Sequence, residues 1–269
     1  MKETMSNFRL TIAYDGTRYD GWQRQQEKSE KTIQGKIEAI LSKMANREVH
    51  IIGASRTDSG VHAHGQIANV HLENTEIMAH AHTYLKKLSA NSSTAKERVV
   101  LKEYLNQYLP DDIEILQVAK VSEQFHSRFN SGAKSYRYRI ALDDSKHIFE
   151  RKYLYHYGEN LDVRKMTAAA AYIVGEHDFQ SFCGKRMKKS SVRQIYDISF
   201  DKKAGILEIT IKGSGFLYHM VRIMVGTLIE VGAKQRTPDS LEAILAARER
   251  AQAGFLAPAQ GLHLLKIEY

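Results

Sequence analysis

The sequence predicts an α+β protein made of two α/β subdomains, each with a mainly antiparallel sheet flanked by helices, and three observations predict it. Short runs that alternate apolar and polar residues recur along the chain, as in FRLTIAYDG, IEILQVAKV and GILEITIKG. Between them stand segments with apolar residues at helical spacing, such as Ile33, Ile37, Ile40, Leu41 and Met44. The length of 269 residues suits two domains of roughly 100 to 150 residues, and the expected division is 1–115 and 116–269.

In order, FRLTIAYDG reads as a strand entering a turn at Asp15-Gly16, and a helix follows over 32–45 with Thr32 as its N-cap. VHII and QIANVHL read as strands on either side of the loop GASRTDSGVHAHGQ, with Ala68, Val70 and Leu72 on one face of the second. Residues 73–94 lack a clear period and end in the linker-like SANSST; AKERVVLKEYLNQYLP is helical as far as Pro110. IEILQVAKV and AKSYRYRIAL are strands, and Leu161 to Val174 is an alanine-rich helix. VRQIYDISF and GILEITIKG form an antiparallel pair through Lys203-Ala204-Gly205. GFLYHMVRIMVGTLIEVG carries a helical stripe from Phe216 through Met220, Ile223, Met224, Thr227, Leu228 and Val231, which reads as core packing. A shorter helix runs from Pro238 to about Arg250, and LHLLKIEY closes the chain as a strand.

The net charge of +8 beside an ordinary share of apolar residues points to a folded protein with a polyanionic partner. Nucleic acid is favoured over membrane, because no apolar run reaches the ~18 residues that a span needs. MKETMSNFRL lacks the apolar core of a secretion signal, so a cytoplasmic location is expected. The single cysteine, Cys183, excludes internal disulfides and cysteine-cluster metal sites.

The loop 53–66 is where chemistry concentrates. Gly53 and Gly60 let the backbone turn around Asp58, and Arg56 can reach the same space if the loop curls. A salt-bridged turn aspartate is the plain reading; an ionised carboxylate serving as nucleophile or base beside a guanidinium is the chemical one. His62 and His64 would share a strand face and with Asp58 could bind a metal in a hydrolase, although no further ligands stand at a recognisable spacing.

Five segments, YDGTRYDGWQRQ, SRTDSGVHAHGQ, FHSRFNSGAKSYRYRI, GFLYHMVRIMVG and GLHLLKI, stand in an order that resembles the TruA-type tRNA pseudouridine synthases over almost the whole chain. The resemblance implies the pseudouridine synthase fold, with two units meeting at a basic cleft. It also implies isomerisation of uridine to pseudouridine, without a cofactor or metal, at positions 38 to 40 of the tRNA anticodon arm, by a symmetric homodimer. Asp58 takes the place of the aspartate that starts cleavage of the glycosidic bond, on a uridine flipped out of its stack. Arg56 takes the place of the residue that holds the flipped nucleotide open, with a phosphate clamp as the alternative. Tyr136 matches the substrate-stacking tyrosine, Arg222 the arginine that pairs with the aspartate, and Leu262 the apolar residue beside the uracil. As bare signals these three read as a core tyrosine, a helix-surface cation and ordinary core, though Arg222 among Val221, Ile223 and Met224 calls for a partner.

For RNA, GKRMKKSSVR supplies Lys185, Arg186, Lys188, Lys189 and Arg193 without an acid, and Arg18, Arg24, Arg128 and Lys134 extend the set; solvated loop charge is the plain alternative. A noncatalytic RNA-binding protein on the same fold would carry the same charges. Two departures from the family pattern stand out. Ser59 follows the aspartate where most members have alanine, and residues from about Glu76 to Lys96 look like an insertion that would act on RNA choice, as in a second-copy paralogue.

Overall fold

The computed structural model describes residues 5–25, 29–85, 96–187 and 190–269. The chain forms two compact units, Met1–Ser131 with Tyr269, and Gly132–Glu268. The expected division at 115/116 falls inside a strand of the first unit, Ile113–Val121, which is tied by its ladder to the first strand.

In the first unit β1 (Met5–Tyr14) leads to helix α1 (Ile33–Ala45), then β2 (Ile52–Gly53) and β3 (His62–Glu73). Helices α2 (Asn74–Met78), α3 (Ala81–Leu85) and α4 (Lys96–Tyr108) precede β4 (Ile113–Val121). β1 is central, antiparallel to β3 on one side and β4 on the other, and β2 adds to β3 through Ile52 and Gly53. Phe8, Leu10 and Ile12 are fully buried on one face of β1, as a two-residue period requires. Thr32 caps α1 by accepting from the Gly35 N–H at 3.2 Å, and Ile33, Ile37, Leu41 and Met44 form its buried stripe.

VHII extends no ladder beyond Ile52. Its backbone bonds go instead to side chains of α1: the Val49 N–H donates to Ser42 Oγ at 2.9 Å and the Ile51 N–H to Glu38 Oε1 at 3.0 Å. The stretch expected to be irregular after residue 73 contains α2 and α3. Glu76 starts α2 by accepting from the Glu73 N–H at 2.8 Å and also holds Arg47. Both bonds tie the beginning of the supposed insertion to the body of the unit; SANSST lies outside the described residues.

The second unit runs β5 (Lys134–Ala141), β6 (Tyr155–His156), α5 (Val163–Ala171), β7 (Gly175–Asp178), β8 (Val192–Lys203), β9 (Ile206–Gly213), α6 (Met220–Gly232), α7 (Ser240–Ala247) and β10 (Leu262–Ile267). Its antiparallel order is β10-β5-β9-β8-β7, with β6 parallel to the end of β5. The β8–β9 turn sits where expected: Ala204 (φ 48°) and Gly205 (φ 78°) both take the left-handed backbone of a tight hairpin. Helix α6 starts later than its apolar stripe suggests. His219 sits at φ 65°, so Phe216 precedes the helix and packs edge-on against Tyr136, with ring centroids 5.2 Å apart. The short strands β6 and β7 have too few residues to show a period in sequence.

Candidate active site

Residues 54–61 of the first unit form the loop that carries Asp58. Its entry is closed by the Ala54 N–H donating to Ile67 O at 2.8 Å. Fully buried Gln66 then acts as a brace: Oε1 accepts from Ser55 N–H and Ile67 N–H, both at 3.2 Å, and Nε2 donates to Ser55 O at 2.9 Å. Beyond it, buried Thr57 bonds through Oγ1 to the Tyr14 hydroxyl at 2.8 Å, and its carbonyl accepts from the Trp22 N–H at 3.1 Å. Ser59 Oγ donates to Tyr19 O at 3.0 Å, and the Val61 N–H closes the turn on Asp58 O at 3.2 Å.

These bonds show that YDGTRYDGW and SRTDSGVH are one structure. The first motif is a shelf on which the second rests, and the contact is too close for side chains. A Cβ on Gly21, whose φ is +95°, would stand 2.6 Å from Thr57 O, and one on Gly16 would stand 2.0 Å from Val61 O. The shelf is in turn fixed to the start of β4. The Asp15 N–H donates to Asp112 O at 2.9 Å, while the Asp112 carboxylate takes Arg18 at 2.6 Å and the Tyr19 hydroxyl. Burial, together with the bond to Asp112, pushes the Tyr19 hydroxyl well above the usual phenol range, so it stays a donor.

Asp58 is therefore presented half-buried, between buried Thr57 and exposed Ser59, at a place set by the backbone of two segments. Arg56 is exposed and, among the described residues, forms no ion pair. The expected pairing of Arg56 with Asp58 is thus absent; the side chain leaves the loop for solvent, where its charge is open to a ligand. His62 and His64 do not act together. His62 is buried with Nδ1 accepting from the Gly16 N–H at 3.1 Å, whereas His64 is exposed. Among the described residues no group of three His, Cys, Asp or Glu side chains could hold a metal ion.

In the second unit, Tyr136 and Tyr138 lie buried on the same face of β5, as the alternation predicts, and Lys134 is half-buried at its start. The Tyr138 hydroxyl donates to Pro258 O at 2.7 Å. Burial drives its ionisation far above the ordinary range, and the positive charge of Arg222 pulls the other way. Arg222 stands in the first turn of α6, half-buried, with Nε donating to Ala257 O at 2.8 Å and its own carbonyl accepting from the Ala257 N–H at 3.2 Å. One turn on, a Cβ on Gly226 would stand 1.9 Å from Phe255 O, so the segment before β10 lies directly on this helix face. Leu262, at the start of β10, is buried and registers with Tyr138.

The cations proposed for RNA divide in two. Arg24 is held by Glu38 and Glu48, and Arg18 by Asp112, so both have structural partners. Arg128 and Arg186 are exposed, Arg193 donates to the carbonyls of Ser190 and Val192, and Lys185 places its ammonium 5.2 Å over the Tyr218 ring. Lys188 and Lys189 lie outside the described residues. Sequence reasoning missed Tyr14, Thr57, Gln66 and Asp112, which place the loop. Tyr14, Thr57 and Gln66 lay within the quoted motifs, and no periodicity marks Asp112.

The α+β frame carries the Asp58 loop on a glycine-built shelf, and the family that the chain matches is one of isomerases of the pseudouridine-forming class. The chain belongs to the tRNA pseudouridine synthase family, which it matches over residues 10–130 and 169–269. It is 47% identical to tRNA pseudouridine synthase A of Bacillus sp. (strain KSM-64), over 98% of this chain and all of that one. It is 43% identical to tRNA pseudouridine synthase A 2 of Bacillus anthracis, over 98% of this chain and 100% of that one. A tRNA pseudouridine synthase A 2 of Clostridium tetani is 40% identical, over 98% of each chain.

Proposed function

We propose that the protein converts uridine to pseudouridine in the anticodon arm of tRNA, at the positions its family resemblance implies, with Asp58 starting the reaction. The isomerisation moves no atom in or out. The bond from ribose C1′ to uracil N1 breaks, a bond from C1′ to C5 forms, and the proton leaving C5 is balanced by one gained at N1. No electron acceptor is required, so a carboxylate and positioning groups suffice. Reaching C1′ and C5 requires the nucleotide to leave its stack, at a cost of a few kcal/mol that a loop or stem end reduces. In this reading Arg56 holds the vacated place or an adjoining phosphate, Tyr136 stacks on the uracil, Leu262 packs against it, and Arg222 takes the role of the arginine that pairs with the catalytic aspartate. The protein works in the cytoplasm as a symmetric homodimer; no described helix is long and apolar enough to cross a membrane, and sedimentation at micromolar concentration tests the dimer.

The observation that supports this most is the bracing of the Asp58 loop by Gln66, Tyr14 and the 16–22 shelf, since nucleophilic chemistry needs its reacting atom fixed to within a fraction of an ångström. Incubation with unmodified tRNA, followed by carbodiimide-dependent primer extension, gives stops in the anticodon arm. No stops above those of an Asp58→Asn control would overturn the proposal. Binding that survives Asp58→Asn but is abolished by charge reversal at Lys185 and Arg186, with no stops in any case, would make the protein a noncatalytic RNA binder.

A further inference from the structure

Between β4 and β5, residues 126–130 hold an aromatic ring in solvent on a rigid mount. Ser127 is fully buried and is the anchor: its N–H donates to Asn69 Oδ1 at 3.0 Å, its hydroxyl donates to Ile52 O, and its carbonyl accepts from the Tyr269 hydroxyl at 2.7 Å. Asn130 closes the turn, Oδ1 accepting from the His126 N–H at 2.7 Å while its own N–H donates to His126 O at 3.0 Å. His126 Nδ1 accepts from the N–H groups of Arg128 and Phe129, at 3.2 and 3.3 Å, which puts the proton of the neutral ring on Nε2 and fixes the ring plane. The Phe129 ring stacks on that imidazole, with centroids 4.2 Å apart and planes at 28°.

Phe129 is nevertheless 77% exposed. A single apolar residue at a surface needs no explanation. This one is backed by a second ring on one face, which leaves the other face open, and it adjoins Arg128, exposed and without an ion pair among the described residues. An open, preordered π face beside a free guanidinium suits a nucleobase and its phosphate. Stacking of this kind accepts any base, and the entropy of ordering the ring has already been met within the fold.

We propose that Phe129, backed by His126, is a stacking platform for one unpaired base of the RNA, with Arg128 on the neighbouring phosphate. The inference rests on the reading that the protein binds tRNA. It adds a contact outside the Asp58 loop.

The test measures tRNA affinity by filter binding at several salt concentrations for the unaltered protein and for Phe129→Ala, Phe129→Leu, Phe129→Trp and Arg128→Ala. Phe129→Ala and Phe129→Leu should each weaken binding by about 5- to 100-fold, and Phe129→Trp should stay within about twofold of the parent. The salt slope should be unchanged at Phe129, since stacking releases no counterions, and should fall by about one in Arg128→Ala. Affinity of Phe129→Ala within twofold of the parent overturns the platform, as does recovery by Phe129→Leu, which would mean simple apolar packing. A change in sedimentation of Phe129→Ala would also overturn it, by making the ring a contact between copies. Binding is read independently of turnover. Failure at Phe129 with normal pseudouridine formation removes the platform alone, and absence of pseudouridine in the unaltered protein removes the reaction alone.

Discussion

The loop around Asp58 in the first unit and the basic loop 184–193 in the second both present charge, but they hold it by different means. Around Asp58, backbone groups are taken by buried neutral side chains and by a shelf so near that Gly16 and Gly21 cannot carry a Cβ without displacing backbone. In the basic loop the described cations rest on softer supports. Lys185 lies over the exposed Tyr218 ring, Arg186 is in solvent, and Arg193 bonds to carbonyls of its own loop. Bond making needs one atom in one place, whereas a field that attracts phosphates needs only charge within reach. The two loops should therefore respond differently to substitution: the first in turnover and stability, the second in affinity and salt dependence.

The widest separation is expected at Asp58 itself. Asp58→Ala should lower turnover by at least about 1,000-fold, as loss of a nucleophile does, and leave tRNA affinity within a few-fold because phosphate contacts dominate binding. Single-turnover assays with saturating enzyme, set beside filter binding, read both quantities. A collapse of affinity would make Asp58 a structural residue and erase the contrast between the loops.

Next in size is the shelf. Gly21→Ala places a methyl group 2.6 Å from Thr57 O at a φ of +95°, so backbone must move. The expected loss is about 2 to 4 kcal/mol of stability, seen as a lower thermal midpoint, together with reduced turnover. A variant as stable and as active as the parent would show that the 16–22 segment does not set the position of Asp58.

Smaller again is the basic loop. Lys185→Ala combined with Arg186→Ala should weaken tRNA binding by a few-fold and lower the salt slope by about one to two, with the thermal midpoint unmoved. An altered midpoint would mean that the Lys185–Tyr218 contact holds the fold, and the distinction between braced and loosely held charge would fail there.

What could be read in advance follows the same divide. Strands such as Ile113–Val121 and Lys134–Ala141 and the Thr32-capped helix α1 were legible because period and cap are local. As candidates, Asp58, Tyr136 and Leu262 stood out only through ordered motifs, since a turn aspartate, a core tyrosine and a core leucine look alike in isolation. The brace was not legible. Tyr14 reaches Thr57 across 43 positions, and Asp112 reaches Arg18 across 94, distances at which no local pattern carries information. Arg56 and Arg24 differ in the partners they take. The spacing of Arg56 suggested a partner in Asp58 that it does not take, while Arg24, counted for RNA, is held by nearly buried Glu38, whose other bonds go to Gln34 and to the Ile51 N–H.

The finest test of the braced loop is the bond between the Tyr14 hydroxyl and Thr57 Oγ1, because it reaches Asp58 only through its neighbour. Tyr14→Phe removes one partner and leaves a buried hydroxyl with one bond fewer, at a cost of about 1 kcal/mol; Thr57→Val does the converse at a similar cost. With both replaced, neither buried polar group remains, and the double variant should be more stable than the sum of the two losses implies, by about 1 kcal/mol of coupling. Turnover should follow a different course. If the bond orients Thr57 and hence the adjacent carboxylate, all three variants should show lower kcat with tRNA affinity close to the parent's, and the double variant should recover stability without recovering kcat. Recovery of both together would mean that the bond contributes only to packing, and that the position of Asp58 is set by Gln66 and the glycine shelf alone.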